Sequence, residues 1–435
     1  MLLIILIIVV GLVYLLTMQG ITCCNSGSLY ALVRAIVEKR TFKINDYLGY
    51  TKYMDYAKIG NDCYSDRPPG LAFAAVPFYF LGIRNVTIVS VISGVLASVM
   101  VYLITNLLVG NELIAFSVGL IFALCTLVWR YSTTFIIHPL SAFLVLLSVY
   151  LFWVGYPFFV IGLILGFATI VEYTDFLYLA GLGIFELIFG SFWNGVVLGL
   201  GYVVGVFPLL FYNWKCFGSP FTTSYKHSAH FKWSNSFKTT FVNPMFKGIF
   251  GLFFHIKKKG RMSIPGGILV MSPVLIFGMI GFYFLEFKIR ILFLLLTLPL
   301  FLLISKHKTW WAGGGGDHRY LISLLGLIVI PIGLFLDNFK SLWPLILFWA
   351  SVSFIMVVIK MLALTITSED LNKLKNRNKI IGIVYMVFQG LFIRKINLEK
   401  YSQIDKSMIT NRPIFEIIDN FEVVFTGNAT SAAAE

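Results

Sequence analysis

Apolar segments follow one another from Met1 to about residue 365, near 1–16, 86–109, 113–128, 139–154, 157–171, 174–190, 192–212, 264–285, 289–305, 320–336 and 341–365. A helix needs roughly 20 apolar residues to cross a bilayer core about 30 Å thick. A water-soluble fold has no interior large enough to hide so many. Hydrophobic residues make up 58% of the chain and charged residues 12%, against roughly 45–50% and 25% in soluble proteins. The chain therefore reads as an all-α polytopic membrane protein, a bundle of about eleven transmembrane helices. Its 42 Phe and 21 Tyr suit a lipid-facing exterior with interfacial belts.

Met1–Leu16 has no basic leader and no small-residue cleavage site, so it reads as a retained first span. Leu71–Gly82 is apolar but short, and fits a re-entrant segment begun at Pro68-Pro69. With a cytoplasmic N-terminus, one face receives the loops 19–70, 129–138, 172–174, 213–263 and 306–319 and the tail, and with them all six His. The other receives short turns such as Gly110-Asn111-Glu112, Glu286–Arg290 and Asp337–Lys340. The richer face is expected to be extracytoplasmic, on the cell (plasma) membrane. Residues 1–365 form one transmembrane unit and 366–435 a polar tail, expected outside, with one apolar patch at Ile380–Ile393.

A net charge of +14 suits anionic headgroups, or more sharply an anionic lipid-phosphate substrate, and in this context not nucleic acid. The five cysteines show no metal-ligand spacing, although Cys23 or Cys24 could pair with Cys63. No P-loop, GxGxxG, HExxH or GxSxG is present, which disfavours nucleotide-driven transport.

Polar motifs recur on the richer face. The first outer loop holds a helical pattern over 29–39, suited to a helix lying on the membrane surface, then Asp46, Asp55 and the run Tyr64-Ser65-Asp66-Arg67-Pro68-Pro69-Gly70. Any of these carboxylates is either a solvated loop group or a proton acceptor at the bilayer surface. Trp129-Arg130-Tyr131 leads to His138, and Glu172-Tyr173 closes another span. Ionisable groups at the ends of apolar helices are functional candidates, or else interfacial anchors. The long loop carries Lys226, then Lys257–Lys259 and Arg261, as phosphate contacts or headgroup anchors. Trp310-Trp311 precede four glycines, Asp317, His318 and Arg319. Glycines admit a ligand to the backbone, a guanidinium clamps phosphate, and paired Trp rings offer a stacking face.

Taken together, these motifs resemble the GT-C integral-membrane glycosyltransferases, in particular the polyprenyl-phosphate-sugar-dependent branch related to protein O-mannosyltransferases and aminoarabinose transferases. The likeness rests on RAIVEKRTFKIND (34–46), YSDRPPG (64–70), WRYSTTFIIHP (129–139), EYTDF (172–176), YNWKCFGSPFTTSY (212–225), IPGGILVMSP (264–273) and WWAGGGGDHRYL (310–321). It covers roughly residues 20–330 and implies a polyprenyl-phosphate sugar donor, a protein, lipid or glycan acceptor, and a first-loop carboxylate as base. The family often carries Arg where Leu29 stands, Asp near Asn45 and Arg where Gly266 stands, which leaves the base open. Asp46 is the first choice, with Asp66 and Asp55 behind it. Arg67, Lys226, Arg319, His318 and Arg130 are the expected phosphate contacts. His138, Glu172, Tyr173, Tyr64, Trp310 and Trp311 would line the sugar and acceptor cavity. A divalent cation could join the outer carboxylates, but no spacing demands one. The competing reading is a polytopic transporter or flippase for an anionic lipid-linked substrate. It would place ionisable groups at mid-membrane, where Glu186 is the main candidate.

Overall fold

The computed structural model describes residues 1–82, 85–259, 262–313 and 316–363. The polar tail 366–435 with its patch Ile380–Ile393, Arg261, the Lys257–Lys259 side chains and two of the four consecutive glycines lie outside the described residues.

Helix is what an apolar chain adopts where no water can satisfy its backbone. The chain opens with α1 (Leu2–Leu16), α2 (Cys24–Lys39) and α3 (Gly70–Phe80), and between α2 and α3 lies the antiparallel hairpin β1 (Tyr56–Ile59)–β2 (Asp62–Ser65). Then come α4 (Ile88–Val109), α5 (Glu112–Leu124), α6 (Val128–Ser132), α7 (His138–Trp153), α8 (Phe158–Val171), α9 (Phe176–Phe189) and α10 (Phe192–Phe217). The long loop holds α11 (Phe237–Thr240), α12 (Met245–Phe254) and the hairpin β3 (Ile256–Lys259)–β4 (Met262–Pro265). The described chain closes with α13 (Ile268–Met271), α14 (Leu275–Gly281), α15 (Phe287–Lys306), α16 (Ile322–Val329), α17 (Pro331–Asn338) and α18 (Trp343–Ala363).

Helix occupies all eleven predicted apolar segments, but the segment 264–285 is broken around Ser272-Pro273 into α13 and α14. Five stretches among the described residues are long and apolar enough to cross a membrane: Ile88–Val109, Phe192–Phe217, Phe287–Lys306, Arg319–Asn338 and Lys340–Met361. The others, Leu2–Leu16 and Phe158–Val171 among them, are shorter apolar helices. α3 is shorter than a span.

Glycine sets the closest helix contacts. On α8, Gly162 and Gly166 meet the α10 backbone at Leu198 and Tyr202, and on α10, Gly201 and Gly205 meet Phe159 and Leu163. A Cβ at any of the four would come within 2.0–2.6 Å of a carbonyl oxygen. Four-residue spacing of small residues on both partners is the pattern by which helices in lipid approach backbone to backbone. The opposite face of α10 turns Leu200, Val203 and Phe207 outward, the last with 62% exposure, a surface that suits acyl chains and not water.

The loops 19–70, 129–138 and 213–263 fold onto one end of this bundle. α2 forms as predicted, but Asn25 to Val33 are buried under its neighbours instead of resting on a surface. Gly27 lies against the Tyr50 carbonyl and Gly70 against the backbone of Ile170 and Val171. Gln19 N–H donates to Thr133 O at 2.6 Å, and Phe135 N–H returns to Gly20 O at 3.1 Å, which ties the start of the first loop to the 129–138 loop. Ala229 N–H donates to Tyr56 O at 2.9 Å, which ties β1 to the long loop. α12 seats Gly248 on the Ser305 backbone at the end of α15. At the far end Gly110, left-handed at φ 67°, stops α4, and Asn111 caps α5 through the N–H groups of Leu113 and Ile114. Gly333 of α17 packs on Thr105 and Val109, and Gly281 meets Pro331, so the turns near 110, 282–290 and 337–340 share that far end.

All five cysteines are free thiols, so Cys63 is bonded to neither Cys23 nor Cys24. Glu186 is occupied structurally: it accepts Asn194 Nδ2 at 2.7 Å and the Ser191 N–H at 3.3 Å, closing the turn from α9 to α10.

Candidate functional site

The first loop delivers two carboxylates to one cation. The β1–β2 hairpin brings Asp55 and the Asp66-Arg67 pair together from opposite sides of its turn. Arg67 Nη2 pairs with Asp55 Oδ1, and its Nε stands 3.2 Å from Asp66 Oδ1. Both carboxylates are buried. Ser228 donates to Asp66 Oδ2 at 3.1 Å, and Ser224 donates to the Asp66 carbonyl at 2.9 Å. Tyr173 OH reaches Ser224 Oγ at 3.0 Å, and the Tyr225 ring lies under the Arg67 guanidinium at 5.6 Å. Burial raises Asp66 to about 7; Arg67 offsets part of this, while Asp55 adds to it. Asp66 Oδ1 has no hydrogen-bond partner.

Glu172 ends α8 beside this group, with 16% side-chain exposure, and its Oε2 lies 3.9 Å from His138 Nδ1. Burial raises Glu172 to about 7 as well, with Arg67 and then Arg319 opposing. The His138 ring meets Tyr131 and Tyr320 edge-on at 5.8 and 6.1 Å.

The second half of the network is centred on Asp317, which is fully buried. It receives Arg130 Nη1 at 3.1 Å and Tyr131 OH at 2.8 and 3.0 Å, and Lys360 Nζ stands 3.5 Å away. Burial pushes this carboxyl up, but Lys360, Arg130 and Arg319 outweigh it and hold it well below the usual range. Lys360 also donates to Gly316 O at 3.2 Å. Arg319 adjoins Asp317 only through its backbone N–H, at 3.3 Å from Oδ1, and its side-chain Nε has no hydrogen-bond partner. The site thus has an acidic half (Asp55, Asp66, Glu172 around Arg67) and a basic half (Arg130, Arg319, Lys360 around Asp317). Such a pair can accept a proton on one side and hold an anion on the other.

Of the residues singled out in the sequence, Asp55, Asp66, Arg67, Arg130, His138, Glu172, Tyr173 and Arg319 meet here. Others do not. Asp46 is exposed, and its ion pair is with Lys39 at 3.9 Å, so it stands apart from the buried network. Lys226 is exposed. Tyr64 is buried in a hydrophobic cluster, edge-on to Phe217 at 5.7 Å. Trp310 packs on Gly251 of α12 and edge-on to Trp311 at 5.2 Å, so its ring is occupied by the protein, while Trp311 packs half-buried against the main core. His318 Nδ1 bonds to Gly266 O at 2.8 Å, which makes it the donor, and burial lowers the ring to about 4. A neutral ring with an unpartnered Nε2 offers a lone pair to a hydroxyl, not a donor to phosphate. A Cβ at Gly266 would stand 2.1 Å from Gly316 O, so an arginine there would displace the Gly316 backbone.

The sequence reading named Asp317, Tyr131 and Ser224 only as members of motifs, without a role, and passed over Ser228 and Lys360. Lys360 carried a usable signal, a lone lysine inside an apolar segment. The serines carried none. Among the described residues no group of three or more His, Cys, Asp or Glu side chains is arranged to hold a metal ion.

No protein-family model matches the chain, and no curated protein matches it. Among solved structures it is similar to ArnT from Cupriavidus metallidurans bound to undecaprenyl phosphate, at 14% identity and a TM-score of 0.61, over 89% of this chain and 70% of that one. It is also similar to apo ArnT from the same organism, at 15% identity and a TM-score of 0.50, over 89% and 68%. The chain therefore shares the fold of ArnT.

Proposed function

We propose that this chain is a membrane glycosyltransferase that moves a sugar from a polyprenyl-phosphate donor to an acceptor with inversion, at the extracytoplasmic face of the cell membrane. The observation that carries the reading is the convergence of Asp55, Asp66, Glu172, Arg67, Arg130 and Arg319, from four separate stretches of chain, in one buried network. The ArnT structure with undecaprenyl phosphate supports the donor class. The eleven apolar segments support a bundle of about eleven spans.

Asp66 is the base of choice. It is buried, poised near neutral pH, and its Oδ1, beside Arg67, accepts no hydrogen bond, so it can take the acceptor proton as the anomeric carbon is attacked. Asp55 holds Arg67 in place. Arg319, with Arg130 near it, receives the phosphate as the sugar leaves and charge gathers on the phosphate oxygens. His138, Glu172 and Tyr173 lie between the halves, where hydroxyls of the sugar need partners. Passage of a lipid is the weaker reading, because Glu186 closes a turn and the ionisable groups gather at one end.

The test is transfer from a radiolabelled polyprenyl-phosphate sugar in membranes holding the chain or its variants. Asp66→Asn and Arg319→Ala should each lower transfer about 100-fold or more, while Asp46→Asn retains it. Loss in Asp46→Asn with activity kept in Asp66→Asn would overturn the assignment.

A further inference from the structure

Two cations meet the carboxylate next to Arg319, although neither Arg130 nor Lys360 adjoins it in sequence. Asp317 is fully buried between Arg130 at 3.1 Å and Lys360 at 3.5 Å, and Tyr131 donates to it as well. Lys360 reaches it from the last described helix and is itself 0% exposed, an expensive place for an ammonium. Its second contact, to the Gly316 carbonyl, pins the turn that carries Arg319. Among the described residues Arg319 holds no side-chain ion pair, although the Asp317 carboxylate lies against its own backbone N–H. A carboxylate so close to a guanidinium ordinarily captures it, since bidentate pairing is the strongest contact either group makes. Here the carboxylate is already satisfied.

We propose that Lys360 is a positioning residue: by occupying Asp317 together with Arg130, it keeps the Arg319 guanidinium available for the phosphate of the lipid. The inference rests on the donor class proposed above. Without the ammonium, Asp317 turns to Arg319 and competes with the incoming anion. Lys360 then affects anion binding without touching the anion, through the carboxylate alone, and removing that carboxylate should cancel the effect.

Full-length protein in detergent is titrated with undecaprenyl phosphate, read as the shift in unfolding temperature, for the unmodified chain, Lys360→Met, Lys360→Arg, Asp317→Asn and the double variant Lys360→Met/Asp317→Asn. The expectation is about tenfold or more weaker binding in Lys360→Met, recovery in Lys360→Arg, and return of the double variant to within about threefold of the unmodified chain. Binding by Lys360→Met equal to that of the unmodified chain overturns the inference. So does a double variant as weak as Lys360→Met, since that makes the lysine a structural support only. Should Lys360→Met not fold, Asp317→Asn decides: it binds at least as tightly as the unmodified chain, and weaker binding overturns the competition. An unmodified chain that ignores undecaprenyl phosphate strikes the donor reading itself. An equal response to inorganic phosphate strikes the lipid part of that reading and leaves the order of variants as the measure of Lys360.

Discussion

At the residue scale, burial separates side chains that look alike in the sequence. Asp46, Asp55 and Asp66 share one loop, and the sequence offered no ground for ranking them beyond their neighbours. The β1–β2 turn separates them, facing two inward onto Arg67 and leaving Asp46 in water. Burial raises Asp66 to about 7, so with Asp66 as the proposed base transfer should rise as pH climbs through about 7. Glu172, also raised to about 7, titrates in the same window. Glu172→Gln should therefore keep the rising limb, while Asp66→Asn leaves a flat residual rate about 100-fold or more lower; pH–rate profiles of the two variants check this. Stability runs the other way. An unfolded aspartate releases its proton near pH 3.9, so between about pH 4 and 7 the folded state holds more protons and loses stability as pH rises. The unfolding temperature should fall less between pH 5 and 8 in Asp66→Asn than in the unmodified chain. On the basic side, Arg319→Ala should lower kcat/KM by about 100-fold or more, and Arg319→Lys should recover only part, because a lysine keeps the charge without the planar fork. Steady-state kinetics with varied donor measure both.

Elements were easier to read than roles. Apolar length announced a helix at all eleven segments, and the pattern over 29–39 announced α2, because one period governs both cases. Packing partners were hidden, since α8 and α10 declare themselves only through Gly162, Gly166, Gly201 and Gly205, whose spacing matters once the two helices face each other. The same opacity hid Ser224 and Ser228, which reach Asp66 because Ala57 and Ser228 meet in a backbone bridge. Glycines on α10 thus divide into two kinds. A leucine at Gly205 forces its side chain into the Leu163 backbone at 2.2 Å, and overpacking of this kind costs about 1–3 kcal/mol or more. Gly199 has open space around its missing Cβ. Thermal unfolding in detergent should therefore show Gly205→Leu well below the unmodified chain and Gly199→Ala at or slightly above it.

For the molecule as a whole, alternation of the apolar segments from a cytoplasmic N-terminus assigns each loop to one of two ends. The structure stitches 19–20 to 133–135 and 56–57 to 228–229, and Arg130 reaches Asp317, all at one end. The turns near 110 and 337 meet at the other, through Gly333 on Thr105 and Val109. That division follows from chain geometry, because a helix entering at one end must leave at the opposite one. Its consequence is a labelling pattern fixed in advance. Lys58→Cys on β1 and Lys226→Cys on the long loop, both exposed, should react with a membrane-impermeant maleimide from the same side of sealed cells. Lys340→Cys, also exposed, should react only after permeabilisation, with the unmodified chain run in parallel to account for its native thiols. If Lys58→Cys and Lys226→Cys label from opposite sides, the acidic hairpin and the long loop do not share a face. If Lys340→Cys alone labels in sealed cells, the shared face is cytoplasmic, and a donor presented outside the membrane has no route to Asp66.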